Sequence, residues 1–112
     1  LDASASTHIP DVLEVPYRPD VTGAGHPGDH AHDYILAGKT CMSGDITGEY
    51  SFPEPLQPGS RVIFEDQMHY SFVKTNTFNG SPLANIAIRH DDGRIETVSD
   101  FGYADIRSRL GR

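Results

Sequence analysis

Cysteine is almost absent from this chain: its 112 residues hold a single one, Cys41, so no disulfide can form within it. Without a disulfide framework, a reducing and soluble compartment, the cytoplasm, is the expectation. No apolar run approaches the roughly 20 residues that a membrane-spanning helix needs, so no membrane segment is expected. A charged n-region followed by an apolar h-region is also missing at the start, and no signal peptide is read there. The chain opens on Leu1 rather than methionine and reads as one entered midway. Basic residues are scarce: nine Lys and Arg stand against sixteen Asp and Glu, a net charge of −7. Nucleic-acid binding, which needs cations to displace counterions from phosphates, is therefore not expected. The same charge would attract a cationic ligand, and it would equally serve solubility alone. There is no Gly-x-Ser-x-Gly elbow, no Walker loop and no paired CxxC.

What is present reads as one domain's worth of chain, organised around short strands. Residues 1–30 are rich in Pro, Gly, Asp and His, a composition that forbids long helices. They read as an irregular connecting segment with one helical turn near Asp11 to Val15, and 31–112 as a β-domain. Tyr34-Ile35-Leu36 reads as a buried strand that delivers the loop from Gly38 to Asp45, with Cys41 on it. Pro58-Gly59 fits a type II turn, followed by a strand over Arg61-Val62-Ile63-Phe64-Glu65. Tyr70 to Thr75 alternates with period two and reads as a further strand, Tyr70 and Phe72 on one face and Val73 on the other. Asn79-Gly80 marks a tight turn. Asp91-Asp92-Gly93 joins the runs 84–89 and 94–98 into a hairpin, and residues 105–111 form a last helical turn closed by a glycine. The pattern implies an all-β barrel or sandwich and, by itself, names no function.

Four ordered motifs carry a resemblance. Gly38-Lys39-Thr40-Cys41-Met42-Ser43-Gly44-Asp45, Leu56 to Asp66, Tyr70, and Thr77-Phe78-Asn79-Gly80 resemble the C-terminal β-domain of the pyridoxal-phosphate decarboxylases of the alanine-racemase-like group. That group includes the ornithine, diaminopimelate and biosynthetic arginine decarboxylases. The stretch Pro10 to Pro19, with Gly48-Glu49-Tyr50-Ser51-Phe52 and Phe101-Gly102-Tyr103, is most similar to its carboxynorspermidine/carboxyspermidine branch, which serves polyamine synthesis. The resemblance implies a two-domain enzyme, a (β/α)₈ barrel followed by a C-terminal β-barrel, working as a head-to-tail homodimer. This chain matches only the second domain. Neither of its lysines, Lys39 and Lys74, stands where the group's Schiff-base lysine would, so that cofactor lysine belongs to the absent barrel.

The resemblance also assigns roles. Cys41 matches the proton donor contributed to the neighbouring subunit's site, a task suited to a thiol, whose ordinary pKa of about 8.5 lies close to working pH. Its plain alternative is a cysteine packed as a small hydrophobe. Tyr70 matches the tyrosine that donates a hydrogen bond to the cofactor phosphate, and Phe78 an aromatic lining the site; each could instead be a packing residue. Met42 stands where ornithine decarboxylases carry an aspartate for the substrate's distal amine, which points to a longer substrate. Asp45, Glu14 and Asp11 are then candidates to pair with its ammonium groups, although acids beside prolines and glycines are commonly solvated loop residues. The six histidines invite a metal reading that lacks converging ligands, and no metal is expected. Three readings remain: part of a carboxynorspermidine-type decarboxylase, with diaminopimelate or ornithine as other substrates; a non-catalytic homologue that binds partners; or a free-standing β-domain. A domain without its barrel would also expose an apolar face.

Overall fold

The computed structural model describes residues 1–111, which divide into two compact units, one over Leu1–Thr75 and one from Asn76 on. The first is built on a pair of antiparallel strands, β1 (His32–Ala37) and β2 (Ile46–Phe52), in a register that sets Tyr34 opposite Tyr50 and Leu36 opposite Gly48. Cross-strand partners share a face and alternate residues return to it. Tyr34, Leu36, Tyr50 and Phe52 therefore gather on one side. There Val21, Leu36, Tyr50 and Phe52 are buried, with Ala24, Leu56, Val62 and Phe64 packed against them. Burying side chains of this size contributes about 2 kcal/mol each. Tyr34 meets Phe52, and Tyr50 meets Phe64, edge to face at 6.0 and 6.2 Å. A second cluster, Ala5, Ile9 and Val12, is supplied by two single helical turns, α1 (Ala5–His8) and α2 (Asp11–Glu14).

The segment read as a strand over 61–65 makes only one bridge, Val21 to Phe64, flanked by Thr22 N–H to Ile63 O (3.0 Å) and Glu65 N–H to Asp20 O (2.8 Å). Its partner lies between Pro19, which has no N–H to give, and Gly23, where the chain turns at φ +76°; the ladder has nowhere to extend. Tyr70 to Thr75 departs further from expectation. Tyr70–Val73 is one helical turn, α3, closed by Lys74 N–H to Tyr70 O (2.9 Å). Four residues satisfy period two and a single helical turn equally well, and among the described residues no neighbouring strand offers this segment a ladder.

The second unit begins with a 3₁₀ turn, Phe78–Gly80, that holds Asn79 at φ +59°. The hairpin follows as β3 (Ile86–Arg89) and β4 (Ile95–Ser99), its turn closed by His90 N–H to Arg94 O and Gly93 N–H to His90 O, both 2.9 Å. Helix α4 (Tyr103–Arg109) ends the unit, with the Asp105 carboxylate accepting the Gly102 N–H at 2.7 Å. Strand is the commonest regular structure among the described residues. It forms two separate antiparallel pairs, and no closed barrel is present among them.

Candidate functional site

Two of the chemistry-bearing clusters lie in the first unit. One is the loop between β1 and β2. Gly38 N–H bonds to Asp45 O (2.8 Å) and closes its base, while Asp45 turns its side chain back into the loop. The Asp45 carboxylate is buried and accepts four hydrogen bonds. Ser4 Oγ (2.6 Å), Thr40 N–H (3.0 Å) and Thr40 Oγ1 (2.6 Å) reach Oδ2, and Ser6 N–H (3.3 Å) reaches Oδ1. Ser6 Oγ and Thr40 Oγ1, 2.9 Å apart, complete the network. Burial pushes this carboxyl's pKa up, and the hydrogen bonds from Ser4, Thr40 and Ser6 outweigh it and hold the group below the ordinary carboxylate range. Gly38 is needed for close approach: a Cβ there would stand 2.6 Å from Asp45 Oδ1. With its base pinned in this way, the loop presents Cys41 and Met42 exposed at its tip.

The other cluster is a cleft walled by 17–20 on one side and 65–67 with 69–71 on the other, with Asp11 of α2 at its edge. The core sets both walls. Tyr50 is fully buried and donates its hydroxyl to Pro19 O (2.7 Å), and the Arg18 guanidinium lies 4.6 Å above the Tyr50 ring. Burial raises the Tyr50 pKa and keeps the hydroxyl a donor. The Glu65 N–H to Asp20 O bond ties one wall to the other. Inside, Tyr17 donates to Asp11 Oδ2 (2.7 Å) and lies 3.4 Å from the Gln67 amide. Burial, then the bond to Asp11 and its charge, raises the Tyr17 pKa, so the phenol keeps its proton. Asp11 Oδ1 is buried and has no hydrogen-bond partner. A buried carboxylate oxygen without a protein donor is costly.

Tyr70 stands on α3 at this cleft, two-thirds exposed, with the Lys74 ammonium 5.4 Å from its ring centre. Lys74 is ion-paired with Glu14 at the end of α2. The structure thus brings Asp11, Glu14 and Tyr70 into one neighbourhood and sets Asp45 under the Cys41 loop as its internal support. Phe78 lies in the second unit, half-exposed, its N–H bonded to Asn76 Oδ1 (3.0 Å). Among the described residues no three His, Cys, Asp or Glu side chains converge as metal ligands. Among the described residues no helix is long and apolar enough to cross a membrane.

Sequence reasoning missed Tyr17, Ser4, Ser6 and the pairing of Lys74. Ser4 lies 41 positions from Asp45, and Lys74 lies 60 from Glu14. No local spacing signals such contacts; only Tyr17, inside the motif from Pro10 to Pro19, could have been singled out.

The chain is 50% identical over 111 residues to the carboxyaminopropylagmatine decarboxylase of Synechocystis sp., covering 99% of this chain and 29% of that protein. It is 41% identical to the carboxynorspermidine/carboxyspermidine decarboxylase of Herminiimonas arsenicoxydans, covering 98% of this chain and 29% of the relative. In three dimensions it matches the crystal structure of carboxynorspermidine decarboxylase complexed with norspermidine from Campylobacter jejuni. The TM-score is 0.88 at 34% identity, over 96% of this chain and 32% of that one. The chain is homologous to the carboxy(nor)spermidine decarboxylases. It spans about three tenths of the length of the curated relatives it matches. No protein-family model matches it. Its fold is that of the small C-terminal domain of such a decarboxylase, as the resemblance implied.

Proposed function

We propose that this chain is the donor-supplying β-domain of a cytoplasmic, homodimeric pyridoxal-phosphate decarboxylase of polyamine synthesis. The substrate is carboxynorspermidine or carboxyspermidine, which loses CO2 to leave norspermidine or spermidine. Residues 1–30 serve as the connection from a barrel domain and 31–112 as the β-domain. The observation that carries this reading is Asp11 Oδ1, a buried carboxylate oxygen without a donor in a cleft lined by further acids, within a fold that matches a decarboxylase holding norspermidine.

In this reading Asp11 accepts an ammonium group of the substrate tail, and Tyr17 fixes the carboxylate by occupying Oδ2. The phosphate of the cofactor fits Tyr70: its hydroxyl is a neutral donor at an open position, and the Lys74 cation stands nearby. When bound, pyridoxal phosphate supplies the electron sink for loss of CO2. Cys41, on the loop braced by Asp45, delivers the proton to the carbon that has lost it, in the partner subunit's site. Phe78 lines the site. Apolar side chains open to solvent in this chain, Ile63, Met68 and Val73 at 60, 70 and 74% exposure, are covered by the barrel or by the second subunit.

Asp11→Asn keeps the shape and removes the charge. In a decarboxylation assay of the full-length protein it raises KM for carboxynorspermidine about tenfold while kcat changes less, the signature of a lost ground-state contact to an ammonium. An unchanged KM overturns the assignment of Asp11. The 50% identity to the Synechocystis enzyme favours a second reading, a substrate ending in the guanidinium of an agmatine unit. A guanidinium prefers two carboxylate oxygens, and Asp11 offers one. Running both substrates in the same assay separates the readings.

A further inference from the structure

The carboxylates beside the cleft are not equally available. Tyr17 takes Oδ2 of Asp11 and leaves Oδ1 without a donor. Glu14, at the other end of the same helical turn, is already paired with Lys74. Lys74 follows α3 directly, its N–H bonded to Tyr70 O (2.9 Å), so its backbone is fixed to the turn that presents Tyr70. Its ammonium stands 5.4 Å from the Tyr70 ring centre and feels the charges of both Glu14 and Asp11. The hydrogen bond that it donates to Glu14 is the main cause that raises its pKa, with those charges adding to it. An ammonium of this chain therefore already occupies the kind of place, between a carboxylate and an aromatic face, that suits the ammonium of a cationic ligand.

Resting on the polyamine reading, we propose that Lys74 is a specificity-determining residue, a built-in counter-cation that masks Glu14 so that, of the two acids on α2, an incoming polyamine finds Asp11 open and Glu14 covered. The charge on Lys74 then sets how many ammonium groups of the ligand gain a partner. A pair in which both side chains are about half exposed is held weakly and is screened by salt. Removing Lys74 thus leaves the fold in place and uncovers a second carboxylate for the ligand. The role is one of selection by charge: Lys74 takes no part in bond breaking.

The test is calorimetric titration of the full-length protein with norspermidine at low salt. Lys74→Met is expected to bind about fivefold more tightly than the unaltered protein, an advantage that shrinks as salt is added. Lys74→Arg, which keeps the charge, should bind as the unaltered protein does. The double variant Glu14→Gln, Lys74→Met should lose the gain, because the uncovered group is no longer an acid. Equal or weaker binding by Lys74→Met, or a gain that survives in the double variant, overturns the masking role while leaving the polyamine reading intact. If no form, the unaltered protein included, binds norspermidine, the polyamine reading itself fails and the masking role falls with it.

Discussion

Cys41→Ala is expected to slow formation of the amine product by about a hundredfold or more in the full-length protein, the usual contribution of a positioned acid or base. The effect should fall on kcat, because a donor that acts after CO2 has left contributes nothing to holding the substrate. Cys41 is exposed at the tip of a loop that is pinned at its base through Gly38, Thr40 and Asp45. Cys41→Ser retains a group that can pass a proton and should fall between the two. Product analysis by mass spectrometry in deuterated water gives a second readout, the rate at which one solvent hydrogen enters the amine. An alanine variant that yields the same product at the unaltered rate removes Cys41 from the reaction.

Asp45→Ala should be damaging in a different way. It strips the acceptor from four hydrogen bonds and leaves Ser4, Thr40 and the Ser6 N–H without it, in a place where water does not readily replace the carboxylate. Breaking such a buried set costs about 3 kcal/mol. The loop that carries Cys41 loses its brace, so activity falls together with stability. The pH dependence has a definite sign. The folded pKa of Asp45 is depressed, so its contribution is fully present above the ordinary carboxylate value of about 4 and is lost as pH falls through the lower folded value. The protection of the Thr40 and Ser6 amides against hydrogen exchange, measured relative to the intrinsic rate at each pH, should therefore fall progressively below about pH 4 in the unaltered protein. In Asp45→Ala these amides should be unprotected throughout. Amides that stay equally protected in both forms would show that Asp45 does not hold the loop.

The parts of the fold that sequence reasoning reached are those decided by local chemistry. The hairpin of β3 and β4 follows from Asp91-Asp92-Gly93, which dictates its turn without help from elsewhere. The turn at Asn79-Gly80 and the helical turn at Asp11 follow in the same way. β2 was not legible as a strand: Thr47 and Gly48 interrupt its apolar pattern, and its conformation is decided by pairing with β1. The alternation of Tyr70 to Thr75 misled because it lacks a partner strand, and 61–65 because its partner is cut short by Pro19 and Gly23. The motif around Cys41 was legible, whereas the reason for it was not, since the brace under that loop comes from Ser4 and Ser6. The cleft was legible only as separate acids. That one buried oxygen of Asp11 has no hydrogen-bond partner, and that Lys74 is paired with Glu14, are facts of tertiary contact.

The most direct measurement is CO2 release from carboxynorspermidine by the full-length protein supplied with pyridoxal phosphate, followed with and without added norspermidine. Release that norspermidine inhibits competitively is the expected result, because in the proposed reading substrate and product share the tail that Asp11 receives. No release from carboxynorspermidine or carboxyspermidine, or release that norspermidine leaves untouched, would contradict the assignment of this chain to a polyamine decarboxylase.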